Sequence, residues 1–141
     1  MTELPHETIK RKAQTFRSNC LGRAKKFNLP TDNIPMPRDF AEWLTLQPLI
    51  IKRKRVYLTC YLTGELVALG KIEIDHREPI SRGGSFQCLN LGITSARINQ
   101  AKGNRTESEF KALLELLATF EDGGKSILAD LRAGQSRRFV R

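Results

Sequence analysis

Apolar residues at three- and four-residue steps open the chain. Ile9, Ala13, Phe16, Cys20, Ala24 and Phe27 predict an amphipathic helix over 7–28. Pro30, Pro35 and Pro37 mark an extended connector, because proline fixes its own φ and restrains the residue before it. Phe40, Trp43 and Leu44 predict a shorter helix over 38–47, stopped at Pro48. The pattern then changes. Residues 56–62, VYLTCYL, are aromatic and β-branched and predict a strand, with Thr63-Gly64 as its turn. A half-buried strand is expected over 66–76, where Ile72-Glu73-Ile74-Asp75 alternates. Residues 77–88 contain Pro79 and Gly83-Gly84 and predict a loop. A short returning strand over 89–94 and a helical segment over 95–102 follow, with Gly103 as the stop. Thr106 and Glu109 fit a capping box that opens a helix with Phe110, Leu113, Leu114, Leu117 and Phe120 on one stripe. Gly123-Gly124 should break it. A last short helix over 126–131 and a frayed tail at 137–141 complete the expected elements.

Charge adds a polyanionic partner to this picture. The 141 residues carry 24 Lys+Arg against 15 Asp+Glu, a net +9. Residues 1–55 hold 12 of the basic and 5 of the acidic residues, so most of the excess is N-terminal. It gathers in Lys10-Arg11-Lys12, Lys25-Lys26 and Lys52-Arg53-Lys54-Arg55. Three such clusters favour phosphate contacts, which position a protein on nucleic acid without reading sequence. At 40% hydrophobic the chain can bury an ordinary core. No apolar run reaches the roughly 20 residues of a membrane span, and MTELPHETIKRK lacks a secretory apolar stretch. Cys20, Cys60 and Cys88 are odd in number and widely spaced, which argues against a disulfide framework and for a cytoplasmic location.

The chemistry is concentrated in 71–105, KIEIDHREPISRGGSFQCLNLGITSARINQAKGNR. Asp75-His76, Asn90, Asn99 and Lys102, with Pro79-Ile80-Ser81-Arg82-Gly83-Gly84-Ser85 between them, resemble the HNH, or ββα-metal, endonuclease family. The resemblance is close over these 35 residues and looser over Cys60–Val67 and the helix start at 106–110. It implies an α+β fold: a ββα-metal core at 56–105, flanked by a basic helical extension at 1–55 and a helical support and tail at 106–141, forming one compact unit. It further implies a metal-dependent DNA endonuclease acting through water to leave 5′-phosphate and 3′-hydroxyl ends. His76 would be the general base, its ordinary pKa of about 6.5 suiting that work. Asp75 and Asn99 would present oxygens to Mg²⁺ or Mn²⁺, with Asn99 standing where the family often has histidine. Asn90 would brace the loop and orient the imidazole. Lys102, one helical turn past Asn99, would hold a phosphate. Lys10, Arg11, Lys12, Lys25 and Lys26 would contact the nucleic-acid backbone, with Arg97 and Arg105 as weaker candidates. Glu73, on the Asp75 face, is as readily a metal-site neighbour as an exposed carboxylate.

Two features set limits on the resemblance. Many family members hold a structural zinc with two Cys-x-x-Cys pairs, whose positions would fall at Cys60–Thr63 and Ser95–Ile98. Only Cys60 is a cysteine, so no structural zinc is expected and the chain resembles small zinc-free nucleases of phages and mobile elements. Neighbours in a strand point to opposite faces, so Asp75 and His76 can share a site only where the strand ends. The competing function is a nucleic-acid-binding module without catalysis on the same scaffold. A basic RNA-binding protein is a third reading, opposed by an aromatic content of only 7%.

Overall fold

The computed structural model describes residues 5–120 together with Ala129. The break at Gly123-Gly124, the helix expected over 126–131 and the tail at 137–141 lie outside the described residues, Ala129 aside. Helix α1 spans His6–Lys26 and α2 spans Pro37–Thr45. Asn28 ends α1 in the left-handed region at φ 56°, a conformation asparagine tolerates, and Leu29 N–H returns to Ala24 C=O at 2.7 Å. Pro37 opens α2, where its missing N–H costs nothing, and Asp39 accepts from Met36 N–H at 2.8 Å. The expected stripe of α1 is buried from Ile9 to Ala24. Phe27 departs from it. It caps the helix instead of continuing it, so helical periodicity no longer directs it inward, and it is 41% exposed.

Two antiparallel sheets replace the simple strand series read from the sequence. The first has the order β1-β2-β3, with β1 Ile50–Lys52, β2 Arg55–Thr59 and β3 Leu66–Ala68. Strand β1 is an addition to the sequence reading, which saw in 52–55 only charge. Strand β2 stops before the expected end at residue 62. Cys60 N–H bonds Glu65 C=O and Gly64 N–H bonds Cys60 C=O, so the chain turns there, with Gly64 at φ 78°. The strand expected over 66–76 is two strands in two sheets. A 3-10 turn at Leu69–Lys71 redirects the chain, and β4 begins at Ile72.

Strand β4, Ile72–His76, pairs with β5, Leu91–Ser95, from Ile72 opposite Ser95 to His76 opposite Leu91. Helix α3, Ala96–Lys102, follows at once, with the Ser95 hydroxyl accepting from Ile98 N–H. This β4–β5–α3 unit is the expected ββα element, so the fold is α+β with helices on both sides of it in sequence. Helix α4, Glu107–Thr119, carries the expected capping box, Thr106 and Glu109 bonding each other's backbone N–H. Its stripe is buried only at the start. Phe110 is in the core and Leu113 and Leu114 pack against it, but Phe120 is exposed. One apolar cluster joins Ile9 of α1 and Leu44 of α2 to Leu58, Ile72, Ile93, Ile98 and Phe110. A second fills the space between α1, α2 and the 77–90 loop, with Phe16, Cys20, Phe40, Ile80, Phe86 and Leu91. The 77–90 loop is thereby clamped beneath α1.

Among the described residues no helix is long and apolar enough to cross a membrane.

Candidate active site

Strand β4 ends at His76, which answers the facing problem of the Asp75-His76 pair. Both side chains are buried, yet both line one cleft of about 570 Å³. Glu73, Asn99, Lys102 and Arg23 line it as well. A second hollow of about 300 Å³ under α1 shares Arg23, Glu73, Asp75, His76 and Asn99. The structure thus brings four of the five residues of the expected constellation to the cleft, with Asn90 set back in the loop behind it.

The two halves of the pair sit in opposite surroundings. The imidazole of His76 is 3% exposed. Phe16 lies 5.3 Å from it, centroid to centroid, and the Phe86 ring meets it edge-on at 5.7 Å. The Cys20 Sγ is 3.9 Å from Nε2. Burial, with the charges of Arg23 and Lys102 adding to it, pushes the His76 pKa down to about 4. The same burial pushes the Cys20 thiol up to about 12, so it remains a neutral packed neighbour.

Asp75 is held by polar groups. Its Oδ2 accepts from the Tyr61 hydroxyl at 2.5 Å and pairs with Lys102 Nζ at 3.1 Å. Lys102 also donates to His76 C=O at 3.0 Å and is 1% exposed. This departs from the phosphate-holding role expected of Lys102. The long side chain runs back under α3 to neutralise the buried carboxylate, an arrangement that avoids the cost of an unpaired buried charge. Tyr61 reaches Asp75 because Gly92 leaves room, since a Cβ there would stand 2.5 Å from the Tyr61 ring. The Arg77 guanidinium covers the same ring at 4.5 Å, donates to Leu91 C=O and forks onto both Glu107 oxygens at 2.9 and 3.1 Å. Burial and the Asp75 carboxylate hold the Tyr61 phenol well above its usual range.

Asn90 braces the loop through three bonds. Its Oδ1 accepts from Glu78 N–H at 2.9 Å, and its Nδ2 donates to Glu78 C=O at 2.9 Å and Ser85 C=O at 2.8 Å. The loop it braces carries Phe86 onto the His76 ring. Gly84 fits this closure because a Cβ there would stand 1.9 Å from Glu78 O, and Gly83 takes φ 92°. The paired glycines are therefore a steric requirement of the brace.

Asn99 donates to Glu73 Oε2 at 2.8 Å, which commits the amide nitrogen. Among the described residues no three His, Cys, Asp or Glu side chains gather as a metal-binding group. The positions where zinc ligands would fall have other work. Cys60 is buried with its Sγ 3.4 Å from the Thr94 hydroxyl, Thr63 caps its own turn, Ser95 caps α3 and Ile98 is core.

The expected backbone-contacting residues divide. Lys10, Arg11, Lys25 and Lys26 are exposed on α1. Lys12 Nζ instead donates to Ile72 C=O at 2.9 Å, tying α1 to the start of β4. Arg105 turns back on the last carbonyls of α3, reaching Ala101 C=O at 3.3 Å. Arg97 is exposed on α3. Sequence reasoning missed Phe16, Cys20, Arg23, Tyr61, Arg77 and Phe86. Only Phe16 and Cys20 had a signal, their place on the apolar stripe of α1, and that signal says core.

Residues 60–108, about a third of the chain, match the family model described as HNH endonuclease, which spans the ββα unit and the cleft residues. No curated protein and no solved structure matches the chain. The match supports the HNH endonuclease family for this segment.

Proposed function

We propose that the protein is a metal-dependent DNA endonuclease of the HNH type, hydrolysing phosphodiester bonds with His76 as general base. The carrying observation is that Asp75, His76 and Asn99 converge on one cleft inside the segment that matches the HNH family model. The lowered pKa keeps the imidazole unprotonated at neutral pH, the state a base requires. A DNA phosphate in the cleft offsets the positive field of Arg23 and so raises the proton affinity of the ring. Phe16, Phe86 and the Asn90-braced loop restrict its rotation, which holds it in line for a water.

The donor set is one of hard oxygens, the Asp75 carboxylate and the Asn99 amide with the Glu73 carboxylate beside them. It fits a small divalent cation that keeps several waters, Mg²⁺ or Mn²⁺. Asp75 and Asn99 would hold this ion, and when bound it would stabilise the charge that develops on the phosphate. Arg23 is a cation that the protein itself offers to the phosphate. It lines both hollows beside His76 and forms no ion pair among the described residues, whereas Lys102 is committed to Asp75.

A non-catalytic binding module is favoured by one observation, the 3% exposure of His76. His76→Ala separates the two. As a base it costs roughly 10²–10⁴-fold in the cleavage rate of a labelled duplex, with duplex affinity nearly unchanged. Equal cleavage by variant and wild type would remove His76 from the chemistry.

A further inference from the structure

Lys52-Arg53-Lys54-Arg55 is the tip of the β1–β2 hairpin, closed by a two-residue loop with Lys52 opposite Arg55. Arg53 and Lys54 sit at φ 50° and 65°. Two successive left-handed residues are the geometry of a type I′ turn, which strongly prefers Asn-Gly because a Cβ is disfavoured there. The chain has long cationic side chains at both positions. All four residues are exposed, and none forms an ion pair or side-chain hydrogen bond among the described residues. Cations on an edge strand can guard it against pairing with other chains. That purpose is served by Lys52 on β1 and does not require charge at the two strained turn positions.

The hairpin is also tied to the cleft. Strand β2 leads into Tyr61, whose N–H bonds Ile93 C=O at 2.9 Å and whose hydroxyl bonds Asp75. Tyr61 lies seven residue steps after Lys54, so at about 3.3 Å each the tip stands at most about 23 Å from the Tyr61 backbone. Along a duplex that is about seven base pairs, well within one helical turn.

We propose that this hairpin is a phosphate-gripping arm, which binds the duplex backbone within about one helical turn of the cleft and holds the scissile bond in register. The inference rests on the nuclease reading and adds to it a second, rigid contact apart from α1. Four cations on one short loop can neutralise backbone phosphates without any base contact.

The test exploits the turn. Arg53→Asn with Lys54→Gly gives the loop its preferred residues and removes two charges. The melting temperature should hold or rise while duplex affinity falls by roughly ten- to a hundredfold near 0.1 M salt. The slope of log K against log salt should drop by up to about 1.8. Lys52→Gln with Arg55→Gln leaves the turn residues in place and should lower the slope by a similar amount. Unchanged affinity and slope in both variants would overturn the arm. So would a loss confined to vesicles of anionic lipid, which would assign the tip to a membrane surface. A wild-type protein that binds no duplex would instead overturn the nuclease reading, and the two failures are thereby distinct.

Discussion

Asp75 and His76 are neighbours in the chain and lie in opposed environments. His76 is caged by Phe16, Phe86 and the Cys20 thiol, with apolar contact on three sides. Asp75 faces a chain of polar partners that runs through Tyr61 and Lys102 and on through Arg77 to Glu107. One side keeps an imidazole uncharged and the other compensates a buried carboxylate. Two titratable neighbours placed in opposed surroundings are how a site obtains two roles from one short motif. The apolar side comes from α1 and the loop, and the polar side from β2, α3 and α4. The helices flanking the ββα unit therefore build the site as well as supporting it.

The largest expected effect breaks the polar side. Lys102→Met leaves the Asp75 carboxylate without its cation, and loss of one partner of a buried pair costs about 3–5 kcal/mol. Urea unfolding should show that loss, and Asp75→Asn added to Lys102→Met should recover part of it. Additive losses in the double variant would show that the pair carries no coupling.

Gly92→Ala acts on the same side through Tyr61. The new Cβ would stand 2.5 Å from the ring, so the ring must leave its place over β5. Overpacking of this kind costs about 1–3 kcal/mol. A crystal structure of the variant should show the Tyr61 hydroxyl away from Asp75, and an unmoved ring would refute the steric argument.

On the apolar side, Asn90→Ala should loosen the 77–90 loop and lower the cleavage rate at saturating metal, because Phe86 no longer steadies the imidazole. Asn99→Ala should instead raise the metal requirement and be partly rescued by excess Mg²⁺ or Mn²⁺. Metal titrations of both variants decide it, and rescue of the Asn90 variant alone would reverse the roles.

The last effect is a pH slope. The His76 pKa lies at about 4 in the folded protein against about 6.5 when unfolded, so the unfolded state takes the proton first. The contribution is present above pH 6.5 and is lost as pH falls from there to about 4. Wild type should lose stability across that window, and His76→Gln should lose less. Identical slopes would place the imidazole in a solvated setting.

Much of this was legible beforehand, for physical reasons that differ by region. The α1 stripe, the Thr106–Glu109 capping box and the β4–β5–α3 order follow from local periodicity and capping, which short segments encode. Strand β1 was not legible, because a two-residue turn of Arg53-Lys54 lacks the asparagine and glycine that announce a hairpin. The split at Leu69–Lys71 was hidden because strand-like residues stand on both sides of Gly70-Lys71 and no proline marks the break. At the cleft, spacing singles out Asp75, His76 and Asn99, which line it together, but the neighbours Tyr61, Cys20 and Arg23 arrive from distant segments. The position of Lys102 one turn after Asn99 suggests a phosphate holder and says nothing about whether its ammonium is buried.

The most direct test of the central claim is the nicking of supercoiled plasmid by the wild-type protein with Mg²⁺ and with EDTA. The account predicts relaxed circles with Mg²⁺ and none with EDTA, with the protein folded in both. Plasmid that is bound but stays supercoiled with Mg²⁺ and with Mn²⁺ would contradict it.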